Sequence, residues 1–148
     1  MSRPTLPSPS LSKPTGDTRF QIDYEWWGKS GKELDRYLSE HLCEEHRTSY
    51  VGSEFPENEV DWIDPVTGQV SIQKPLTYVL LSHCSRQADF ITERTSLIDA
   101  VFRVLISSGN RPMTPGELAR LTGRSADTIL KTLSGRTVYQ GLRPVSGT

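Results

Sequence analysis

The sequence has few cysteines, no long apolar run and almost no net charge. Two cysteines in 148 residues are too few for the disulfide framework on which small secreted domains rely. No run of apolar residues is long enough for a transmembrane helix, and the N-terminus lacks the apolar core of a secretory signal. A formal net charge of −1 gives no indication of nucleic-acid binding by the chain as a whole. These absences predict a cytoplasmic protein with no membrane partner.

Charge is nevertheless divided unevenly along the chain. Residues 17–95 carry 8 Lys and Arg against 15 Asp and Glu, whereas residues 96–148 carry 7 against 3. Such asymmetry predicts an acidic unit joined to a basic one. Residues 1–18 are rich in proline and serine with little to bury, which predicts a disordered tail. We therefore expect an acidic α+β unit over 19–94 and a basic domain over 95–148.

Periodic apolar residues predict the elements of the acidic unit. The aromatic segment 20–27 is interpreted as a short strand or an anchor on the core, the alternative being an exposed surface for bases or proteins. A helix is predicted over 32–46, followed by a β-hairpin over 61–72 and a helix opened by Pro75. The inner stripe of the first helix comprises Leu34, Tyr37, Leu38, His41 and Leu42, with Glu45 at its end.

The stretch 113–145 carries the clearest local signals. A Thr-Pro-Gly-Glu capping box at 114–117 predicts the start of a short helix. Gly123 ends that helix because glycine takes the left-handed conformation at little cost, and Ser125 caps a second helix. Gly135 is expected to end the second helix. Residues 136–145 are expected to form two short strands that turn around Gly141.

The two short helices and the hairpin resemble the winged form of the helix-turn-helix family. The residues that carry the resemblance are Leu118, Ala119, Gly123, Ser125, Thr128 and Ile129. Arg124 departs from the pattern, because the family has a small apolar residue there. A helix predicted over 96–107, capped by Thr95, supplies the third helix of such a domain. The expected fold is mainly α with small β-hairpins, an N-terminal helix-hairpin-helix unit followed by a winged helix-turn-helix.

The resemblance implies DNA binding through the second helix and the hairpin. Recognition helices present their N-terminal residues to base edges, while basic residues contact phosphates. The expected DNA-facing residues are Arg124, Ser125, Thr128, Lys131, Arg136 and Arg143. Because so few contacts give weak binding, a homodimer or a protein partner is also expected. The predicted function is a DNA-associated transcriptional regulator whose acidic N-terminal unit binds a partner or forms the dimer. The alternative is a winged-helix adaptor in a protein complex without DNA contact.

All cysteines and histidines lie in two short segments. Cys43 and His46 are three residues apart, so both can face one point at a helix end, and His83 and Cys84 are adjacent. Together these four can form a structural Cys₂His₂ zinc site, with His41 as an alternative to His83. Adjacent residues diverge by about 100° on a helix, so His83 and Cys84 share an ion only if the helix ends there. The competing interpretations are buried apolar cysteines, a disulfide or a reactive thiol.

Signals of catalysis are missing from the sequence. Cys84 with His46 or His41 can be assembled into a nucleophile and base, but no family signature surrounds either cysteine. The carboxylates of residues 54–64 lack the regular spacing of a calcium-binding loop, and no glycine-rich phosphate loop occurs. We therefore expect that the protein is not an enzyme.

Overall fold

The computed structural model describes residues 13–28, 32–50 and 60–145, and most of the predicted tail lies outside them. In chain order the elements are β1 (Phe20–Ile22), α1 (Lys32–Ser39), α2 (Glu44–Tyr50), β2 (Val60–Ile63), β3 (Val70–Gln73), α3 (Pro75–Ser82), α4 (Leu97–Ser107), α5 (Pro115–Thr122), α6 (Ala126–Leu133) and β4 (Leu142–Pro144). Two 3₁₀ helices, Tyr24–Trp27 and Cys84–Arg86, complete the list. The described residues are mainly helical with two small antiparallel sheets, which confirms the predicted fold class at this level.

The predicted hairpin over 61–72 is confirmed as an antiparallel ribbon of β2 and β3. Its turn is closed by Asp64, whose carboxylate accepts hydrogen bonds from the backbone amides of Val66 at 2.8 Å and Thr67 at 3.2 Å. An aspartate at this position mimics a backbone turn and so favours the reversal. The ribbon packs on α3, where Trp62 meets Tyr78 edge to face.

The hairpin expected within 136–145 is wrong. This segment contains a single strand, β4, which pairs antiparallel with β1 at the other end of the described chain. Phe20 and Ile22 on β1 are fully buried, whereas residues 136–140 are exposed or half-exposed. Burial of β1 therefore stabilises this pairing in a way that a local hairpin could not. The predicted turn does occur at Gly141, whose φ is 77°.

The helix predicted over 32–46 is interrupted between α1 and α2. The Ser39 hydroxyl donates to the carbonyl of Arg36 at 2.6 Å, which competes with the helical backbone pattern. The amides of residues 40–42 then donate to carbonyls three residues back, which forms a tight turn. The predicted inner stripe is buried or half-buried as far as Leu42, but Glu45 is exposed.

The central helix is α4, and it begins one residue later than predicted. Its N-cap is Ser96, whose hydroxyl accepts from the amide of Asp99 at 3.2 Å. The hydroxyl of Thr95, the predicted cap, instead accepts from the amide of Thr92 at 3.0 Å. The buried side chains of α4 are Ala100, Val101, Phe102, Val104, Leu105 and Ile106.

The signals predicted for α5 and α6 are confirmed. The hydroxyl of Thr114 accepts from the amide of Glu117, and the Glu117 carboxylate accepts from the amide of Thr114, both at 3.2 Å. Gly123 ends α5 with a φ of 73°, and the hydroxyl of Ser125 caps α6. α6 ends at Leu133 with Ser134 as its C-cap, so the cap lies one residue before Gly135, which was predicted to end the helix.

One apolar core extends across the boundary predicted at residue 95. Its buried members come from both sides of that boundary and include Phe20, Leu38, Leu80, Phe102, Leu118 and Leu142. The division into two units stays a prediction. Contacts cross the boundary where β1, on its N-terminal side, packs against α4 and β4 on its C-terminal side. No helix in the described ranges combines the length and apolar character needed to span a membrane.

Candidate metal centre

Four predicted ligands converge where the α1–α2 turn meets the end of α3. Cys43 directly precedes α2, and His46 lies in the first turn of that helix. His83 is the C-cap of α3, with φ −128° and ψ −61°, and Cys84 begins the following 3₁₀ helix. α3 therefore ends at Ser82, immediately before the two adjacent candidate ligands, which is the condition that they must meet to face one ion.

The four ligand atoms converge to nearly the separations of a closed tetrahedral site. The Cys43 sulfur lies 3.1 Å from Nδ1 of His46 and 3.6 Å from Nδ1 of His83. The Cys84 sulfur lies 3.5 Å from the Cys43 sulfur and 3.7 Å from Nδ1 of His46. All four ligand atoms lie within 4.8 Å of one another. A tetrahedral zinc ion places such atoms about 3.3–3.8 Å apart, so this Cys₂His₂ cluster could bind a metal such as zinc.

The cluster is partly shielded from water. Cys84 is buried, whereas the other three side chains are half-buried. Burial raises the pKa of the Cys84 thiol to about 11, so the metal-free thiol is neutral near pH 7. A metal binds the thiolate and must therefore displace this proton, which makes its affinity depend on pH.

His41, the alternative ligand, lies outside the cluster. Its Nδ1 accepts a hydrogen bond from Nε of Arg103 at 2.8 Å. Its ring stacks on Phe102 at 5.2 Å between ring centres and meets Tyr37 edge to face. Burial, and then the charge of Arg103, lower the pKa of His41 to about 4. His41 is thus a neutral histidine of the aromatic core, and His83 takes the fourth place in the cluster.

The sequence patterns did not predict the polar network around His41. The Arg103 guanidinium also donates to the carbonyl of Phe90, and the Tyr37 hydroxyl donates to Asp99 on the same helix, α4. The sequence signal for this network was Arg103 within the apolar run of α4. Because arginine is rarely buried without hydrogen-bond acceptors, its position predicts polar partners in the core. The network joins α1 to α4 next to the candidate metal centre.

Two of the six predicted DNA-facing residues are held in contacts within the chain. Nη2 of Arg124 donates to the carbonyls of Thr92, Glu93 and Thr95, so the guanidinium fixes the loop before α4. The Arg143 guanidinium lies 2.9 Å from the Asp23 carboxylate, across the β1–β4 sheet. The hydrogen bonds of Arg124 to these carbonyls explain why an arginine stands at position 124, where the resemblance implies a small apolar residue.

The other four predicted residues have different surroundings. The hydroxyl of Ser125 accepts from the amide of Thr128 at 3.3 Å and so serves as a cap. Lys131 forms an exposed ion pair with Asp127 at 3.1 Å. Thr128 and Arg136 are exposed. The spacing of three places Ser125, Thr128 and Lys131 on one side of α6.

The β2–β3 ribbon exposes an apolar face that the sequence analysis did not identify. Ile63, Val70 and Ile72 are 61%, 58% and 64% exposed, and Ile63 pairs directly with Val70 across the ribbon. Asp61, opposite Ile72, is the charged residue on this outer face. Val66 extends the apolar face at the turn. An apolar face of this kind is typical of a protein-interaction surface.

No family model, curated protein or solved structure matches the chain. The winged-helix resemblance therefore rests on the residues of α5, α6 and the turn between them.

Proposed function

We propose that Cys43, His46, His83 and Cys84 bind one Zn²⁺ ion, and that the protein is a small binding module held together by it. The observation that carries this proposal is the convergence of the four ligand atoms within 4.8 Å of one another. Three of their separations, 3.5, 3.6 and 3.7 Å, match the edges of a zinc tetrahedron. Thiolate and imidazole ligands favour zinc over calcium and magnesium, which take oxygen ligands.

The role proposed for the ion is structural. Four protein ligands fill a tetrahedral coordination sphere and leave no position for a water or a substrate, unlike the three-ligand sites of zinc enzymes. Cys43 and Cys84 are 41 residues apart, so the ion links two segments that are distant in the sequence. Such a link adds stability to a small core.

The metal content of the purified protein tests this proposal. We expect one zinc ion per chain and a lower melting temperature after a chelator removes it. His46→Ala should lose the ion and become insensitive to the chelator, whereas Arg47→Ala, at the exposed neighbouring position, should keep both properties. A folded wild-type protein that takes up no metal from a zinc solution contradicts the proposal.

Association with DNA is the second candidate function. It is favoured by the excess of positive charge over residues 96–148, together with the exposed Thr128 and Lys131 on α6. Arg124 is held by backbone carbonyls and Arg143 by the half-buried Asp23. The phosphate contacts are therefore assigned to Arg136 and to Lys131, whose ion pair with Asp127 is open to solvent and so can be exchanged for a phosphate. The binding proposed is therefore weak and strongly dependent on salt.

A titration with duplex DNA between about 50 and 200 mM salt tests this second function. We expect affinity to fall steeply with salt and to weaken further in the double variant Lys131→Ala, Arg136→Ala. Arg86→Ala, an exposed arginine of the 3₁₀ helix after α3, is the control and should bind like the wild type. A folded protein that binds no DNA at the lowest salt excludes this function and favours the adaptor, with the outer face of the ribbon as its contact surface.

A further inference from the structure

We propose that Cys43 and Cys84 are an oxidation site, at which a hydroperoxide converts the two zinc-bound sulfurs into a disulfide and releases the ion. This inference rests on the proposed zinc site and assigns a means of regulation to it. The two residues are the only cysteines in the chain, so an intramolecular disulfide has one possible pairing.

The positions of the two sulfurs favour a bond between them. They lie 3.5 Å apart, and a disulfide requires about 2.05 Å, so they must approach by roughly 1.5 Å. Cys43 lies in the turn before α2, and Cys84 is the first residue of a three-residue 3₁₀ helix. Neither residue is in the interior of an α-helix, so few backbone bonds oppose this approach. Those bonds run from the amide of Arg47 to the carbonyl of Cys43 at 2.8 Å and from the amide of Gln87 to the carbonyl of Cys84 at 3.2 Å.

Differences in burial assign a role to each sulfur. Cys43 is half-buried and can meet a solute, whereas Cys84 is 1% exposed. The Cys43 sulfur is therefore the atom that the hydroperoxide oxidises, and Cys84 is the resolving residue. A resolving cysteine in contact captures the first oxidised state before a second oxidant molecule arrives.

The chemistry balances in two steps. The Cys43 thiolate attacks the outer oxygen of the hydroperoxide, the O–O bond breaks, and a proton from water completes the alcohol that leaves, so that Cys43 becomes a sulfenic acid. The Cys84 thiolate then attacks the Cys43 sulfur, the S–O bond breaks, and hydroxide leaves and is protonated to water. The two sulfurs lose two electrons, which the hydroperoxide accepts together with two protons.

Loss of both thiolates leaves the ion with His46 and His83 alone, which are too few ligands for a stable site. The disulfide joins the same two segments that the zinc ion joined. Oxidation therefore exchanges one link for another and frees the two imidazoles. A thiol reductant and added zinc reverse the exchange.

The test treats zinc-loaded protein with hydrogen peroxide and follows three quantities. A colorimetric zinc indicator measures released ion, a thiol reagent measures free cysteine, and intact mass distinguishes a disulfide from added oxygen. We expect release of one zinc ion in step with the loss of two thiols. After denaturation, the mass should lie two hydrogen atoms below that of the reduced, metal-free chain. A reductant with zinc should restore the starting state. Cys84→Ser lacks the resolving sulfur and should gain oxygen at Cys43 instead.

Two results overturn the inference. In the first, a peroxide concentration that oxidises Cys43 in the Cys84→Ser variant leaves the wild-type protein with its zinc and both thiols. The other is wild-type protein that gains oxygen atoms without forming the disulfide. Failure of the zinc proposal looks different, because no ion is then present before oxidation. The thiol count and the mass still report in that case whether the sulfurs join.

Discussion

Arg103 carries a guanidinium into the helical core, where it donates to His41 and to the carbonyl of Phe90. Arg103→Met fills similar volume but leaves both acceptors without a donor, so we expect the free energy of unfolding to fall by about 2–4 kcal/mol. Urea unfolding measures the change. Arg111→Met, at an exposed position, is the control and should change it by less than about 0.5 kcal/mol. Equal effects of the two substitutions would contradict a role for the Arg103 hydrogen bonds.

Gly141 holds the turn that carries the chain into β4. A Cβ there would lie 2.9 Å from the carbonyl oxygen of Asp23 and 2.9 Å from Nε1 of Trp27, at a φ of 77°. Gly141→Ala should cost about 1–2 kcal/mol for the left-handed backbone and about 1–3 kcal/mol more for the overlap. Gly68→Ala has a similar φ of 74° with open space around it, so it should show the backbone cost alone. Thermal unfolding of both variants separates the two contributions.

At the scale of single elements, the short-range signals in the sequence predicted the helix ends well. The capping box of α5, the left-handed Gly123 and the Ser125 cap all act between residues two to four positions apart, so composition and spacing are sufficient to identify them. The break between α1 and α2 was missed because it depends on a competing bond from Ser39. The partner of β4 was missed because pairing with β1 depends on burial across the whole chain.

The capping box of α5 should make part of the stability depend on pH. Hydrogen bonds from Thr114, first of all from its backbone amide, lower the pKa of Glu117, so the carboxylate is favoured in the folded state. Its contribution is fully present above the unfolded pKa and is lost as the pH falls through the lower, folded pKa. We expect Glu117→Gln to be less stable than the wild type at pH 7, and the difference in the free energy of unfolding to shrink as the pH is lowered towards 3. Chemical unfolding of metal-free samples across this range measures the difference, and a constant gap would contradict the argument.

The candidate metal site was predictable in its ligands but not in its geometry. The i and i+3 spacing of Cys43 and His46 is a local pattern, and residue type selected the other pair. The choice between His41 and His83 required the three-dimensional structure, because His41 is taken up by the aromatic core and by Arg103. Sequence spacing contains no information about such a distant partner.

For the whole molecule, the β1–β4 sheet makes the C-terminal part depend on residues near the start of the described chain. Phe20 is completely buried, and its backbone N–H and C=O both bond to Met113, while β1 pairs with β4 along its other edge. We expect a fragment of residues 95–148 to show no cooperative thermal unfolding by circular dichroism. Without β1, the buried side chains of Leu142 and α4 would be exposed to water. A fragment that unfolds in one sharp transition would instead support the division of the chain at residue 95.

The same sheet has a consequence for synthesis on the ribosome. Arg143 follows Asp23 by 120 residues, whereas Cys84 follows Cys43 by only 41. At about 5–20 residues per second, translation supplies the second cysteine roughly 2–8 s after the first, but the last strand roughly 6–24 s after β1. The four candidate zinc ligands can therefore come together on the nascent chain while Phe20 and Ile22 still lack their partner strand. During that interval, chaperone binding and aggregation compete with completion of the fold.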